Sequence, residues 1–205
     1  MALVDRYAGV IFDYGGVLAF HQTAAESARM ANVAGLPAPV FHQLYWADRL
    51  AYDRGQTRAE EYWNDLARRG GIVLDSQQIS RLIEADVESW LKFDSKMYDF
   101  AESLRRSGKR IAVLSNMPRE LGEALKARTE GFAPFAHVTL SYEVQSVKPE
   151  PVIYEHCLAG MGLRPEEALF LDDRIENIQG AKRLGIEGVQ FTSREEVLPK
   201  LMADA

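Results

Sequence analysis

The chain has 205 residues, long for one minimal domain and short for two full ones. Its hydrophobic content of 47% suffices for a real core, while a net charge of −6 and a pI near 5.3 argue against the basic footprint that nucleic acid or an anionic membrane surface requires. A single cysteine, Cys157, excludes an internal disulfide, and no long apolar segment opens the chain, so the expectation is a cytoplasmic protein without signal peptide or membrane span.

In chain order, Val10-Ile11-Phe12 runs straight into Asp13, and Tyr14-Gly15-Gly16 follows. A short apolar run ended by turn residues predicts a buried parallel strand over 9–12. The Asp13 carboxylate then stands at its C-terminal tip, the edge at which open α/β sheets hold ligands. The glycines let backbone groups come close to whatever Asp13 holds. Residues 18–94 carry no convincing apolar strand. They predict helices at about 22–34, 38–54, 57–70 and 76–91, punctuated by Gly35, Gly55 and Gly70-Gly71. Thr57 with Glu60 predicts a capping box for the third, and Asp75 or Ser76 a cap for the fourth.

From about 95 the pattern alternates. A helix over 96–107 ends at Gly108, the strand 111–114 runs into Ser115-Asn116, and a helix starts near Pro118. A strand near 137–141 leads to a loop with Lys148. Pro149 and Pro151 suit the first turn of a helix that reaches about 161 and buries Cys157 as a small hydrophobe. The strand Ala168–Leu171 runs into Asp172-Asp173, a helix over 175–184 ends at Gly185, and a strand over 188–191 follows. Thr192 with Glu195, or Ser193 with Glu196, caps a last helix. Strands alternating with helices imply a parallel sheet with right-handed crossovers. The expected organisation is an α/β core from 1–17 and 95–205, a Rossmann-like three-layer fold, with 18–94 as an inserted helical cap.

Three predicted strands thus end in polar groups: Asp13, Ser115-Asn116 and Asp172-Asp173. Parallel strands bring these ends to one edge. Carboxylates gathered there repel unless a cation sits among them, and a hard divalent ion such as Mg²⁺ takes one or two carboxylates, waters and a substrate phosphate. Lys148 adds a charge that holds a phosphate or shields the nucleophile. The Ser115 hydroxyl and the amides opening the next helix are donors for a phosphate oxygen. These are parts for phosphoryl transfer to a carboxylate, with Asp13 as nucleophile beside a metal.

The four motifs, in this order, resemble those of the haloacid dehalogenase-like hydrolase superfamily, and they span the whole core. Asp-Tyr-Gly-Gly-Val and Leu-Asp-Asp-Arg-x-Glu-Asn are most similar to its branch of sugar-phosphate phosphatases and the phosphatase domain of soluble epoxide hydrolases. The resemblance implies a Mg²⁺-dependent phosphatase of a small phosphate ester, a sugar phosphate for example, as a monomer or homodimer. It implies Asp13 as nucleophile and metal ligand, the Gly15 carbonyl and Asp173 as further ligands, and Asp172 one step behind the metal. Ser115, Asn116 and Lys148 would bind phosphate, and Asn177 would act by hydrogen bonds outside the ligands.

One departure stands out. Most phosphatases of the superfamily carry a second aspartate two residues after the nucleophile, as general acid and base; here that position is Gly15. Such help is typically worth about 10² to 10⁴-fold, so slow hydrolysis of the aspartyl-phosphate is expected. His21 is the nearest substitute in sequence, although a surface or capping role suits it better. His42, Tyr45, Trp46, Arg49 and Tyr52 form one helical stripe, a spacing that more often signals packing than substrate contact. Two rivals remain. A dehalogenase would attack carbon without a metal and leaves Asp172-Asp173 unexplained. A catalytically weak phospho-ligand binder would explain Gly15.

Overall fold

The computed structural model describes residues 2–203, and Gly9–Phe12 (β1) lies at the centre of its sheet. Arg110–Ser115 (β2) and His137–Leu140 (β3) extend the sheet on one side; Ala168–Asp172 (β4) and Glu187–Gln190 (β5) extend it on the other. The order is β3-β2-β1-β4-β5, and every pairing is parallel. All four residues of β1 are buried, as a strand covered on both faces requires. Val10 and Phe12 pack on one face with Val113, Leu169 and Leu171. Ile11 packs on the other with Ala112, Leu114 and Phe170. The result is a Rossmann-like three-layer sandwich. One helical layer is Ser95–Arg106 and Arg119–Arg128; the opposite one is Pro151–Met161 and Ile175–Arg183. Cys157 is buried in the second layer.

Between β1 and the helix Ser95–Arg106 the chain forms helices only. These are α1 (Ala24–Ala34), α2 (Ala38–Ala47), α3 (Arg49–Asp53), α4 (Ala59–Arg69) and α5 (Ser76–Ser89). They enclose a hydrophobic cluster of their own, with Phe41, Tyr45, Tyr62, Trp63 and Leu82 at its centre. Trp63 stacks on Phe41 with ring centroids 6.3 Å apart.

Two expectations for this insertion are corrected. The continuous helix over 38–54 breaks at Asp48, whose φ of −120° and ψ of 19° are not helical. Aspartate favours such breaks, and here its carboxylate also pairs with Arg69 at 2.5 Å. The Thr57–Glu60 capping box does not form. The Gln56 and Thr57 amides still bond back to the Ala51 carbonyl, so α4 starts later and Glu61 accepts from the Arg58 amide at 3.1 Å. Boxes that do form are Thr23 with Glu26 and Asp75 with Gln78, and Ser193 caps the last helix, Arg194–Met202.

Side-chain ties join the insertion to the sandwich. Tyr52 donates to Glu120 at 2.8 Å, Arg54 makes a two-pronged pair with Glu150 at 2.6 Å, and Arg128 pairs with Glu84 at 2.7 Å. The Ser141 hydroxyl donates to the Asp53 carbonyl at 2.5 Å and accepts from the Met117 amide at 3.0 Å. No helix among the described residues is long and apolar enough to cross a membrane.

Candidate active site

Register decides which groups meet. Phe12 pairs with Val113 on one side and Leu171 on the other, so Asp13 and Asp172 leave the sheet at one level with Ser115 just beyond. The Asp13 amide still donates to the Leu171 carbonyl at 2.8 Å, which ties the tip of β1 to β4. The chain order reverses at this seam, because β2–β3 lie to one side and β4–β5 to the other. A crevice opens outside such a switch point.

Lys148 lies at the centre of the crevice floor, with 1% of its side chain exposed. Its Nζ is 2.7 Å from Asp13 Oδ1 and 2.6 Å from Asp172 Oδ2. Asn116 grips the lysine from behind. Its Oδ1 accepts from the Lys148 amide at 2.8 Å, and its Nδ2 donates to the Lys148 carbonyl at 3.1 Å. Asn116 thus uses its side-chain amide to hold Lys148 and also lines the cavity. The next peptide bond, Lys148–Pro149, is cis. Asp172 is fully buried and saturated: Asn177 Nδ2 donates to both its oxygens, at 2.9 and 3.1 Å, and the Arg174 amide adds a bond at 2.8 Å.

Asp13 keeps one oxygen free. Oδ1 takes the Tyr14 amide at 2.6 Å and Lys148, whereas Oδ2 has no donor among the described residues and Asp13 lines the cavity. Burial, opposed by Lys148 and reinforced by Asp172 and Asp173, pushes the Asp13 carboxyl up to about 8. Burial also opposes the charge on Lys148, but Asp13 and Asp172 outweigh it and hold the ammonium above its ordinary range.

The Ser115 hydroxyl lines the cavity, buried and without a protein partner among the described residues. The helix-opening amides expected beside it are less available. The Met117 amide is bonded to Ser141, and Pro118 has no N–H to offer. Asp173 is half-buried and faces His21, whose Nε2 lies 3.3 Å from Asp173 Oδ2. That hydrogen bond, partly opposed by burial, raises the imidazole above its ordinary pKa. Gly16 allows the approach: its φ is +76°, and a Cβ there would stand 2.6 Å from the imidazole.

Asp13, Asp172 and Asp173 offer carboxylate oxygens within 4.8 Å of one another. Three carboxylates against one lysine leave an excess of negative charge, and hard oxygen donors at this spacing fit a divalent cation such as Mg²⁺. A cavity of about 500 Å³ stands over this floor, of the size that small-molecule sites have. Residues the sequence reading left out also line it: Leu50, Asp53, Met117, Leu121 and Arg174. Trp46 and Arg49 came under the packing stripe and face the cavity too, while Tyr45 and Tyr52 do pack. Only the position of Leu50, one turn from Trp46, could have signalled this.

The family model for haloacid dehalogenase-like hydrolases matches residues 7–185, so the chain belongs to this family. It is 25% identical over 195 residues to the drimenol cyclase drtB of Aspergillus calidoustus; the match covers 94% of this chain but only 35% of that protein. It is 22% identical to the sesquiterpene phosphatase astK of Aspergillus oryzae, over 93% of this chain and 92% of the relative. Among solved structures, a HAD-like family hydrolase from Porphyromonas gingivalis superposes with a TM-score of 0.77 at 25% identity, covering 98% of this chain and all of that one. The fold is also that of a HAD family enzyme from Bacteroides thetaiotaomicron crystallised with magnesium and inorganic phosphate. There the TM-score is 0.71 at 21% identity, over 90% of this chain and 93% of that one.

Proposed function

We propose that this haloacid dehalogenase-like hydrolase is a Mg²⁺-dependent phosphatase of a small phosphorylated metabolite, working through an aspartyl-phosphate on Asp13. The observation that carries the reading is Asp13, which lines the cavity with Oδ2 free of any donor among the described residues, on a floor that gathers three carboxylates around one buried lysine. The phosphatase name of one relative and the magnesium and phosphate crystallised with one structural neighbour support it.

Held by Asp13, Asp173 and the Gly15 carbonyl, Mg²⁺ would supply neutralisation of the phosphate and carboxylate charge. The chain does the rest. Lys148 and the Ser115 hydroxyl bind phosphate oxygens and orient phosphorus toward Asp13. Asp13 Oδ2 attacks phosphorus, the P–O bond to the alcohol breaks, and the departing oxygen takes a proton from water. A second water then attacks the phosphorus of the acyl phosphate, which returns Asp13 and releases inorganic phosphate. Asp172 and Asn177 keep Lys148 in place throughout. The helical insertion acts as a cap that excludes bulk water. Gly15 provides no acid or base, so the second step is the slow one.

Hydrolysis of p-nitrophenyl phosphate tests the reading, because this leaving group needs little protonation. Activity is expected that requires Mg²⁺, disappears with EDTA and is lost in Asp13→Asn. Folded, Mg²⁺-loaded protein without activity would overturn it. Release of halide from a 2-haloacid with EDTA present would favour the dehalogenase instead.

A further inference from the structure

We infer that the organic part of the substrate is apolar: the cavity takes the monophosphate of a hydrocarbon alcohol, not of a polyhydroxylated one. The inference rests on the phosphatase reading and narrows it.

The cavity has two chemically distinct halves. The floor is polar, and His21 belongs to it through its contact with Asp173. Above it the wall is carbon from both sides. Met117 and Leu121 contribute from the sandwich, and Trp46, Leu50 and Trp90 from the insertion. Trp46 and Leu50 are 43% and 49% exposed, whereas Phe41, Tyr45 and Tyr52 of the same helices are buried. Packing the insertion therefore does not account for them; they add to an apolar patch open to the cavity, and such patches mark binding surfaces.

Trp90 carries the argument furthest. Its indole N–H points away, 3.4 Å from the Tyr45 hydroxyl, so ring carbon faces the site. A Cβ built on Gly15 would stand 3.1 Å from the six-membered ring of the indole. The side from which a residue at position 15 would address the leaving oxygen is thus an aromatic wall. Three charged residues line the cavity beside that wall: Arg49 and Asp53 pair with each other, and Arg174, with 59% of its side chain exposed, lies 3.8 Å from Glu176. Arg49 donates to Asp53 at 2.9 Å and to Asp86 at 2.9 Å, with the guanidinium 4.7 Å from the Tyr45 ring centroid. A sugar brought here would trade water for carbon around several hydroxyls, whereas a hydrocarbon would gain by the same transfer.

The test holds the leaving group constant. Kinetics are measured with ethyl, butyl and hexyl phosphate and with glucose 6-phosphate, all esters of primary alcohols. We expect kcat/KM to climb by up to about fourfold per methylene, and hexyl phosphate to exceed glucose 6-phosphate at least tenfold, by the roughly 1.4 kcal/mol that each factor of ten represents. Trp46→Ser and Leu50→Ser should flatten the series, while competitive inhibition by inorganic phosphate persists as the sign of an intact floor. Geranyl phosphate and 2-naphthylmethyl phosphate then distinguish a branched chain from a fused ring; either one exceeding ethyl phosphate supports the inference. A flat series, or glucose 6-phosphate matching hexyl phosphate, would overturn it and leave the phosphatase standing. Absence of turnover on every ester, p-nitrophenyl phosphate included, would remove both.

Discussion

Lys148→Met isolates the electrostatics of the floor. Methionine keeps most of the unbranched stem and drops the charge. The wild-type Nζ lies 2.7 Å from Asp13 and 2.6 Å from Asp172, with 1% of the side chain exposed, so the variant leaves two buried carboxylates without their shared cation. Removing one partner of a buried pair costs about 3–5 kcal/mol. Against a total stability of roughly 5–15 kcal/mol the protein remains folded. With a urea slope of about 2–3 kcal/mol per molar, the midpoint should fall by about 1–2.5 M. The assay is urea unfolding in EDTA at pH 6 and pH 9. Asp13 binds its proton more tightly when folded, at about 8 against an ordinary 3.8. Its contribution to stability is therefore fully present below the unfolded value and is lost as pH rises through the folded one. Without Lys148 to pull it back, the folded value rises further, and the loss continues to higher pH. The deficit of the variant should be larger at pH 9 than at pH 6, and Mg²⁺ should recover part of it. A deficit under about 1 kcal/mol, too small for a buried pair, or one identical at both pH values, would refute the reasoning.

Asn177→Leu strips Asp172 of its bonds at 2.9 and 3.1 Å; a loss of about 1–3 kcal/mol is expected in the same unfolding assay, together with a fall in kcat. Trp63→Ala empties the centre of the insertion, where Trp63 is fully buried; by far-UV circular dichroism the cost should be about 3–5 kcal/mol, and an unchanged melt would contradict the packing described. Glu150→Gln unties Arg54 from the sandwich. Arg54 holds the Glu150 carboxyl down to about 2, so the tie is present above the ordinary value of 4.5 and lost as pH falls through the lowered one. Glu150 is 40% exposed and solvent screens the pair, so the difference at pH 7 should be about 1 kcal/mol or less. It should vanish near pH 2 or in high salt; a difference that persists there would point to packing instead.

Much of this protein follows from local pattern. Apolar runs broken by Asp13, Ser115 and Asp172 determine strands, and helices between them determine a parallel sheet, because a crossover has room for little else. The floor of the site was legible for the same reason: a residue that ends a parallel strand must stand at the ligand edge. Three-dimensional packing decided what those residues do. Asn116 ends a strand in sequence, and its amide clamps Lys148, a partner 32 residues away that no spacing rule connects to it. The helix over 38–54 reads as continuous, yet it breaks at Asp48, a residue that favours non-helical backbone, and local propensity is a weak prior beside tertiary packing. Trp90 is one more aromatic residue in sequence and becomes the wall behind Gly15 only when the insertion folds over the crevice. Sequence alone determined the chemistry of the edge, because strand polarity is local. The tertiary structure alone decided what that chemistry acts on, because the wall of the cavity is assembled from side chains that meet only across two separate cores.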